Sequence, residues 1–191
     1  MNKTPKFHFH PVTPSRWKDV EALFGSRGAC GGCWCMSWRL SRSEFNSGKT
    51  GANKRRLKRL VQSGKTPGIL AYAGTVPIGW CSAAPREEFG FLARSRVLAP
   101  LDDRPVWSVS CMFIAKEYRR RGLSALLLRA AADFVRKRGG KILEGYPVIP
   151  YDDAMPAAFA WTGTVASFTS AGFEKAGGRS KARPIVRMEL S

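Results

Sequence analysis

Residues 106–140, VWSVSCMFIAKEYRRRGLSALLLRAAADFVRKRGG, carry the reading that decides the fold. Val106 to Ile114 hold no charge and are rich in β-branched and aromatic side chains, the composition of a buried strand. From Leu123 the period changes. Leu123, Leu126, Leu127, Ala130 and Phe134 fall on one helical stripe, with Arg129, Asp133 and Lys137 opposite. Asp133 stands four residues before Lys137, the favourable order for an ion pair. Gly139 and Gly140 end the helix, and KILEGYPV (141–148) returns as a strand. A crossover of this length favours a parallel β-α-β unit.

The turn between strand and helix is RRRGLSA (119–125). A helix start exposes N–H groups that have no intrahelical partner, and the macrodipole adds positive potential there. Gly122 has no side chain to hold a phosphate away from the backbone, and Arg119, Arg120 and Arg121 add charge around it. Together they make a pyrophosphate cradle. The same residues also suit a plain basic helix start whose glycine serves only the turn. Neither G-x-x-x-x-G-K-[ST] nor G-x-G-x-x-G after a strand is present. That argues against a nucleotide hydrolase or a dinucleotide-dependent dehydrogenase.

Outward from this unit, FHFHPV (7–12) alternates as a strand, and SRWKDVEALFG (15–25) reads as a helix capped by Ser15. A Gly-rich cysteine stretch and a basic helix over 51–62 follow. Residues 68–85 read as a hairpin. Residues 86–105 are long for a connection and are expected to be a lid or binding loop. TGTVASFTSAGF (162–173) is a short helix closed by Gly172, and RPIVRMEL (183–190) a last strand. The whole chain, 1–191, reads as one α/β domain with an antiparallel start and a parallel middle.

The chain has 191 residues, 44% of them hydrophobic, and a net charge of +18, so it is a globular sequence with an affinity for polyanions. It lacks a run of apolar residues that could span a membrane and an apolar signal core, so a cytoplasmic protein is expected. The five cysteines are odd in number and unevenly spaced, which argues for reduced thiols rather than a disulfide framework.

MFIAKEYRRRGLSALLLRAAADF (112–134) resembles the acetyl-CoA-binding motif of the GNAT superfamily of N-acyltransferases: a strand, a short connection, then [RQ]-x-x-G-x-[GA] opening a helix. Arg119 and Gly122 match, and Ser124 stands where glycine or alanine is usual. ASFTSAGFEKAG (166–177) is similar to the family's later motif. The resemblance is clearest over 66–190. GCWCMSWRL (32–40) and LEGYPV (143–148) look like a bacterial subgroup of the same family.

The resemblance implies a mixed sheet of six to seven strands flanked by helices, with a splayed parallel pair, and acetyl-CoA as cosubstrate. It implies that the backbone of Met112, Phe113 and Ile114 orients the thioester, and that Arg119, Arg120, Arg121, Gly122, Leu123 and Ser124 hold the pyrophosphate. An amine of a small molecule or peptide would attack directly, without an acyl-enzyme. Glu144 is the expected base, with Asp102 and Asp103 as alternatives. Phe168 stands where relatives carry an acidic tyrosine; Tyr146 or Tyr151 are the substitutes. The segment 25–64, with Trp34, Trp38 and Arg39, is expected to form a wall of the acceptor site. Dimers are frequent in the family.

Cys30, Cys33 and Cys35 fall one ligand short of a tetrahedral zinc site, with His8 or His10 as a conceivable fourth. A tight packed turn is the expectation, with no metal; a redox-sensing cluster is the other reading. Cys81 and Cys111 are expected as small core residues. The competing function is a basic binding module of the same fold that takes nucleic acid or another polyanion.

Overall fold

The computed structural model describes residues 6–149 and 160–191. Its centre is a seven-stranded sheet of β1 (Phe7–Pro11), β2 (Gly68–Ala73), β3 (Val76–Pro85), β4 (Trp107–Ile114), β5 (Ile142–Gly145), β6 (Glu174–Gly177) and β7 (Ile185–Glu189). The spatial order is β1-β2-β3-β4-β5-β7-β6. Only β4 and β5 run parallel. The helices are α1 (Trp17–Phe24), α2 (Arg42–Ser47), α3 (Ala52–Gln62), α4 (Gly90–Arg94), α5 (Leu123–Arg136) and α6 (Val165–Ala171). This is the α/β class expected from the strand–helix–strand unit, a mixed sheet with one parallel pair and helices around it.

Strand alternation sorts the core into two faces. On β2, Ile69 and Ala71 join the α5 and α6 side, with Leu127, Leu128, Ala131, Val135 and Phe168. Leu70 and Tyr72 face the other way and pack with Trp17, Trp34, Leu57 and Trp80. A smaller third cluster gathers Trp38, Phe89, Leu92, Leu98 and Tyr146. Residues 86–105, expected as a lid, contribute Phe89, Leu92 and Leu98 to that cluster, with a 3₁₀ turn over Arg86–Glu88 leading to α4.

Three local expectations change. The buried face of α5 includes Leu128, Ala131 and Val135, while Leu126 is exposed, because the sheet meets the helix about a residue further round than the stripe suggests. Asp133 pairs with Arg136 at 2.6 Å rather than with Lys137. The helix after β1 is entered through a 3₁₀ turn, Pro14–Arg16, so Ser15 does not cap it; the Ser15 hydroxyl meets Thr13 Oγ1 at 2.9 Å instead. Helix α2 was not anticipated, whereas β6 is the strand into which the resemblance leads the short helix after Gly172 and Phe173. A capping box starts α2: the Glu44 N–H donates to Ser41 Oγ, and the Ser41 N–H donates to Glu44 Oε2.

The feature that positions the site is the way β4 leaves its neighbours. Against β3, Ser82 pairs with Cys111 and Ala83 with Val109, so Ser110 is an extra, bulged residue. Against β5, pairing covers only Trp107–Val109 opposite Leu143–Gly145. Beyond the bulge the parallel pair parts. The Met112 N–H turns instead to the Trp161 carbonyl, at 2.6 Å.

Candidate active site

A cavity of about 700 Å³ opens beside the free end of β4. Its walls are Ser110–Ile114, the turn before α5, part of the cysteine loop, and the segment from Ala160 to Ser167. Each wall follows from a local cause.

The turn is shaped by two left-handed residues, Arg120 (φ 57°) and Gly122 (φ 73°), the latter at the N-cap of α5. A side chain at φ near 73° is strained, which is why glycine suits this position. With Gly122 in that conformation, the amides of Leu123 and Ser124 start the helix without intrahelical partners. Arg119 reaches back: its Nε donates to the Ile114 carbonyl at 2.9 Å, and its guanidinium lies 6.0 Å from the Phe113 ring centre. The turn is therefore buckled to the end of β4. Arg121 folds over the Tyr118 ring instead. Met112, Phe113, Ile114, Arg119, Arg120, Gly122, Leu123 and Ser124 all border the cavity; Arg121 does not.

The cysteine loop forms the facing wall, though through other residues than its tryptophans. Trp34 is buried, stacked on Trp17 with ring centres 6.1 Å apart. Trp38 is buried, stacked on Phe91 and edge-on to Tyr146 and Trp161. Arg39 pairs with Glu88 at 2.6 Å and lies over the Phe89 ring. These three support the wall from behind. The cavity is faced by Cys30, Cys33, Cys35, Ser37, Phe45 and Lys49. The inversion has a backbone cause: Ala29, Trp34 and Cys35 all have positive φ, a conformation costing on the order of 1–3 kcal/mol at each non-glycine residue. The loop turns so sharply that Trp34 points into the core, and a side chain on Gly28 would run into its indole.

Cys33 and Cys35 are packed thiols, while Cys30 is exposed. The Cys33 Sγ–H donates to the Gly28 carbonyl at 3.0 Å, and burial pushes its thiol up to about 11. Burial, then contact with Cys111, drives Cys35 well above the usual thiol range. Among the described residues no group of three or more His, Cys, Asp and Glu side chains is placed to hold a metal ion. His8 and His10 lie on β1, the edge strand beside β2.

Glu144 and Tyr146 meet each other but do not border the cavity. Glu144 is fully buried in a row across the sheet, Ser108–Glu144–Arg187. Arg187 Nε donates to its Oε2 at 2.8 Å; Arg86 Nη1 and the Tyr146 hydroxyl donate to its Oε1 at 2.9 and 2.6 Å. Tyr146 also meets Ser108 Oγ at 2.7 Å, and Arg187 extends the row to Asp102 at 2.6 Å. Burial and the adjacent carboxylate hold the Tyr146 phenol well above its usual range. The hydrogen bond from Arg187 brings Asp102 down to about 2. Asp103 is exposed. Tyr151 lies outside the described residues.

Phe168 is fully buried, and side chains added at Gly145 or Gly163 would run into its ring. The ring is packed against Gly145 and Gly163, so a hydroxyl added to it has to displace a neighbour. Phe168→Tyr is therefore expected to lower stability by about 1–3 kcal/mol without raising turnover. Thermal melting and initial rates check this; a faster enzyme of unchanged stability would contradict the packing.

Three participants were missed in the sequence. Arg86 and Arg187 hold the buried carboxylate, and a charge inside the apolar run RPIVRMEL was a signal that an acidic partner lay opposite. The Trp161 carbonyl, being backbone, left no signal.

The sequence model described as "Acetyltransferase (GNAT) family" matches residues 35–155. A comparison with curated proteins gives no match. Among solved structures, a GNAT-family acetyltransferase from Listeria monocytogenes is similar with TM-score 0.57 at 10% identity, over 96% of this chain and 95% of that one. The PaiA N-acetyltransferase of Thermoplasma acidophilum, in complex with coenzyme A, is similar with TM-score 0.51 at 12% identity, over 96% and 99%. A structure titled yncA, a putative acetyltransferase from Salmonella typhimurium with acetyl-CoA, is similar with TM-score 0.51 at 12% identity, over 97% and 94%. At these identities the likeness is one of fold.

Proposed function

The chain belongs to the acetyltransferase (GNAT) family, and from that premise we propose that it passes the acetyl group of acetyl-CoA directly to a primary amine of a small molecule or peptide. One observation carries the reading: a single cavity is bounded by both the end of β4 that β5 no longer pairs with and the Gly122 turn. Backbone donors and a phosphate cradle thus open into the same space.

The residues fit acetyl-CoA. The amides at the start of α5, with Arg119 and Arg120 beside them, suit a pyrophosphate. The backbone of Met112 to Ile114 suits a main-chain partner, because β5 no longer pairs with it there. Acetyl-CoA supplies an activated acyl carbon and a thiol leaving group. The chain's part is to hold two reactants in one cavity, which replaces an encounter by an oriented contact. Its backbone donors face the charge that develops on an acyl oxygen.

Both Glu144 oxygens are engaged by arginines, so accepting the amine's proton would mean giving up a buried ion pair. We assign Glu144 and Tyr146 to positioning β5 against β4, and the amine's proton to water in the cavity. The acceptor is met by the cysteine loop together with Phe45 and Lys49.

Isothermal titration with acetyl-CoA tests the reading first, followed by thiol release with a panel of amines. Micromolar binding and amine-dependent thiol release are expected. No acetyl-CoA binding, beside DNA binding that falls steeply with salt, would instead support a basic binding module, which the net charge of +18 keeps in view.

A further inference from the structure

Cys35 and Cys111 come from parts of the chain 76 residues apart, one from the strained loop and one from β4 beside the bulge. Their sulfurs are in direct contact: the Cys35 Sγ–H donates to Cys111 Sγ at 2.9 Å. Both border the cavity, and the two residues are 6% and 9% exposed. The loop reaches this contact through consecutive left-handed residues, Trp34 and Cys35.

We propose that Cys35 and Cys111 form an oxidative modification site, a thiol pair that a hydroperoxide converts to a disulfide joining the cysteine loop to β4. Cys111, which accepts the hydrogen bond from Cys35, attacks first. Its sulfur takes the distal oxygen of hydrogen peroxide as the O–O bond breaks, giving the sulfenic acid and water. The Cys35 sulfur then attacks that sulfenic sulfur. The S–S bond forms, the S–O bond breaks, and the departing hydroxide takes the Cys35 proton to leave as a second water. Two thiols lose two electrons and one peroxide gains them.

Burial disfavours the Cys35 thiolate, so the reaction is slow at neutral pH and answers to sustained oxidant rather than to a trace. The route in is the cavity that both residues line. A ligand filling the cavity therefore shields the pair. This second statement rests on the proposed acetyl-CoA site; the cross-link itself does not.

The experiment treats the full chain with hydrogen peroxide under native conditions, blocks remaining thiols, and maps peptides without reduction. The expected product is a linked Cys35–Cys111 peptide, two hydrogens lighter than its parts, with two of the five thiols lost. C30S leaves that product unchanged, and C111S abolishes it. A Cys30–Cys33 link in its place, or sulfinic acid at Cys30 with Cys35 and Cys111 intact, would overturn the assignment. Acetyl-CoA at ten times its Kd should slow cross-linking about tenfold. If acetyl-CoA binds by titration yet leaves the rate unchanged, the cavity route is wrong. If it does not bind at all, the functional reading fails and the unliganded cross-link still stands.

Discussion

Gly122→Glu weakens acetyl-CoA binding by about a hundredfold, or about 2.7 kcal/mol, while the protein still folds. The position is exposed, and an added Cβ meets nothing within 4 Å, so no core contact is lost. Two effects combine. A left-handed non-glycine residue costs roughly 1–2 kcal/mol, which the turn relieves by rotating its amides away from the cavity. The carboxylate then stands at a helix start built to receive anionic charge. Gly122→Asn separates the two, since asparagine tolerates left-handed backbone and brings no charge; it should bind within a few-fold of the parent. Isothermal titration of both variants, with melting curves beside them, reads the difference. Equal losses for Asn and Glu would make backbone shape the whole effect, and no loss in either would place the phosphates elsewhere.

Glu144→Ala is expected to cost about 3–5 kcal/mol of stability, the range for removing one partner from a buried ion pair. The loss comes from Arg187 and Arg86, which would remain inside the fold without their carboxylate. Of a usual total of about 5–15 kcal/mol, that is a large share, and the melting temperature should fall by on the order of 10 °C. Glu144→Gln keeps the shape and distinguishes positioning from proton transfer. For a positioning residue, Gln lowers the melting point and leaves kcat per folded molecule within a few-fold. A base would instead lose roughly 10²–10⁴ in kcat at nearly unchanged melting. That second pattern would return Glu144 to the chemistry.

The strand–turn–helix at 106–140 was legible because every local signal there agrees: an uncharged β-branched strand, a basic turn with glycine, and an apolar helical stripe. The hairpin, the parallel pair and the end of α6 at Gly172 were legible for the same reason. The cysteine wall of the cavity was less so. GCWCMSWRL offers tryptophans and thiols at alternating places, and composition favours tryptophan as the contact. Which set faces the cavity is decided by positive φ at Trp34 and Cys35, and no pattern of residue types announces that conformation outside glycine. Glu144 was recognised as a carboxylate near the splay. Its partners were not, because Arg86 and Arg187 are 58 and 43 residues away and reach it only through strand register.

The hydrogen bond from Met112 to the Trp161 carbonyl bears on how the two halves of acetyl-CoA divide the work. A donor that already has a good acceptor gives little when it changes partners, since one hydrogen bond replaces another. On the proposed reading, the nucleotide end supplies the grip and the acyl arm only the alignment. A short acyl-pantetheine lacking the phosphates should then be held far more weakly than the length it has lost would suggest. The Trp161 carbonyl already caps the Met112 N–H in the gap beside β4, so an acyl arm that bonds there exchanges a partner rather than gaining one.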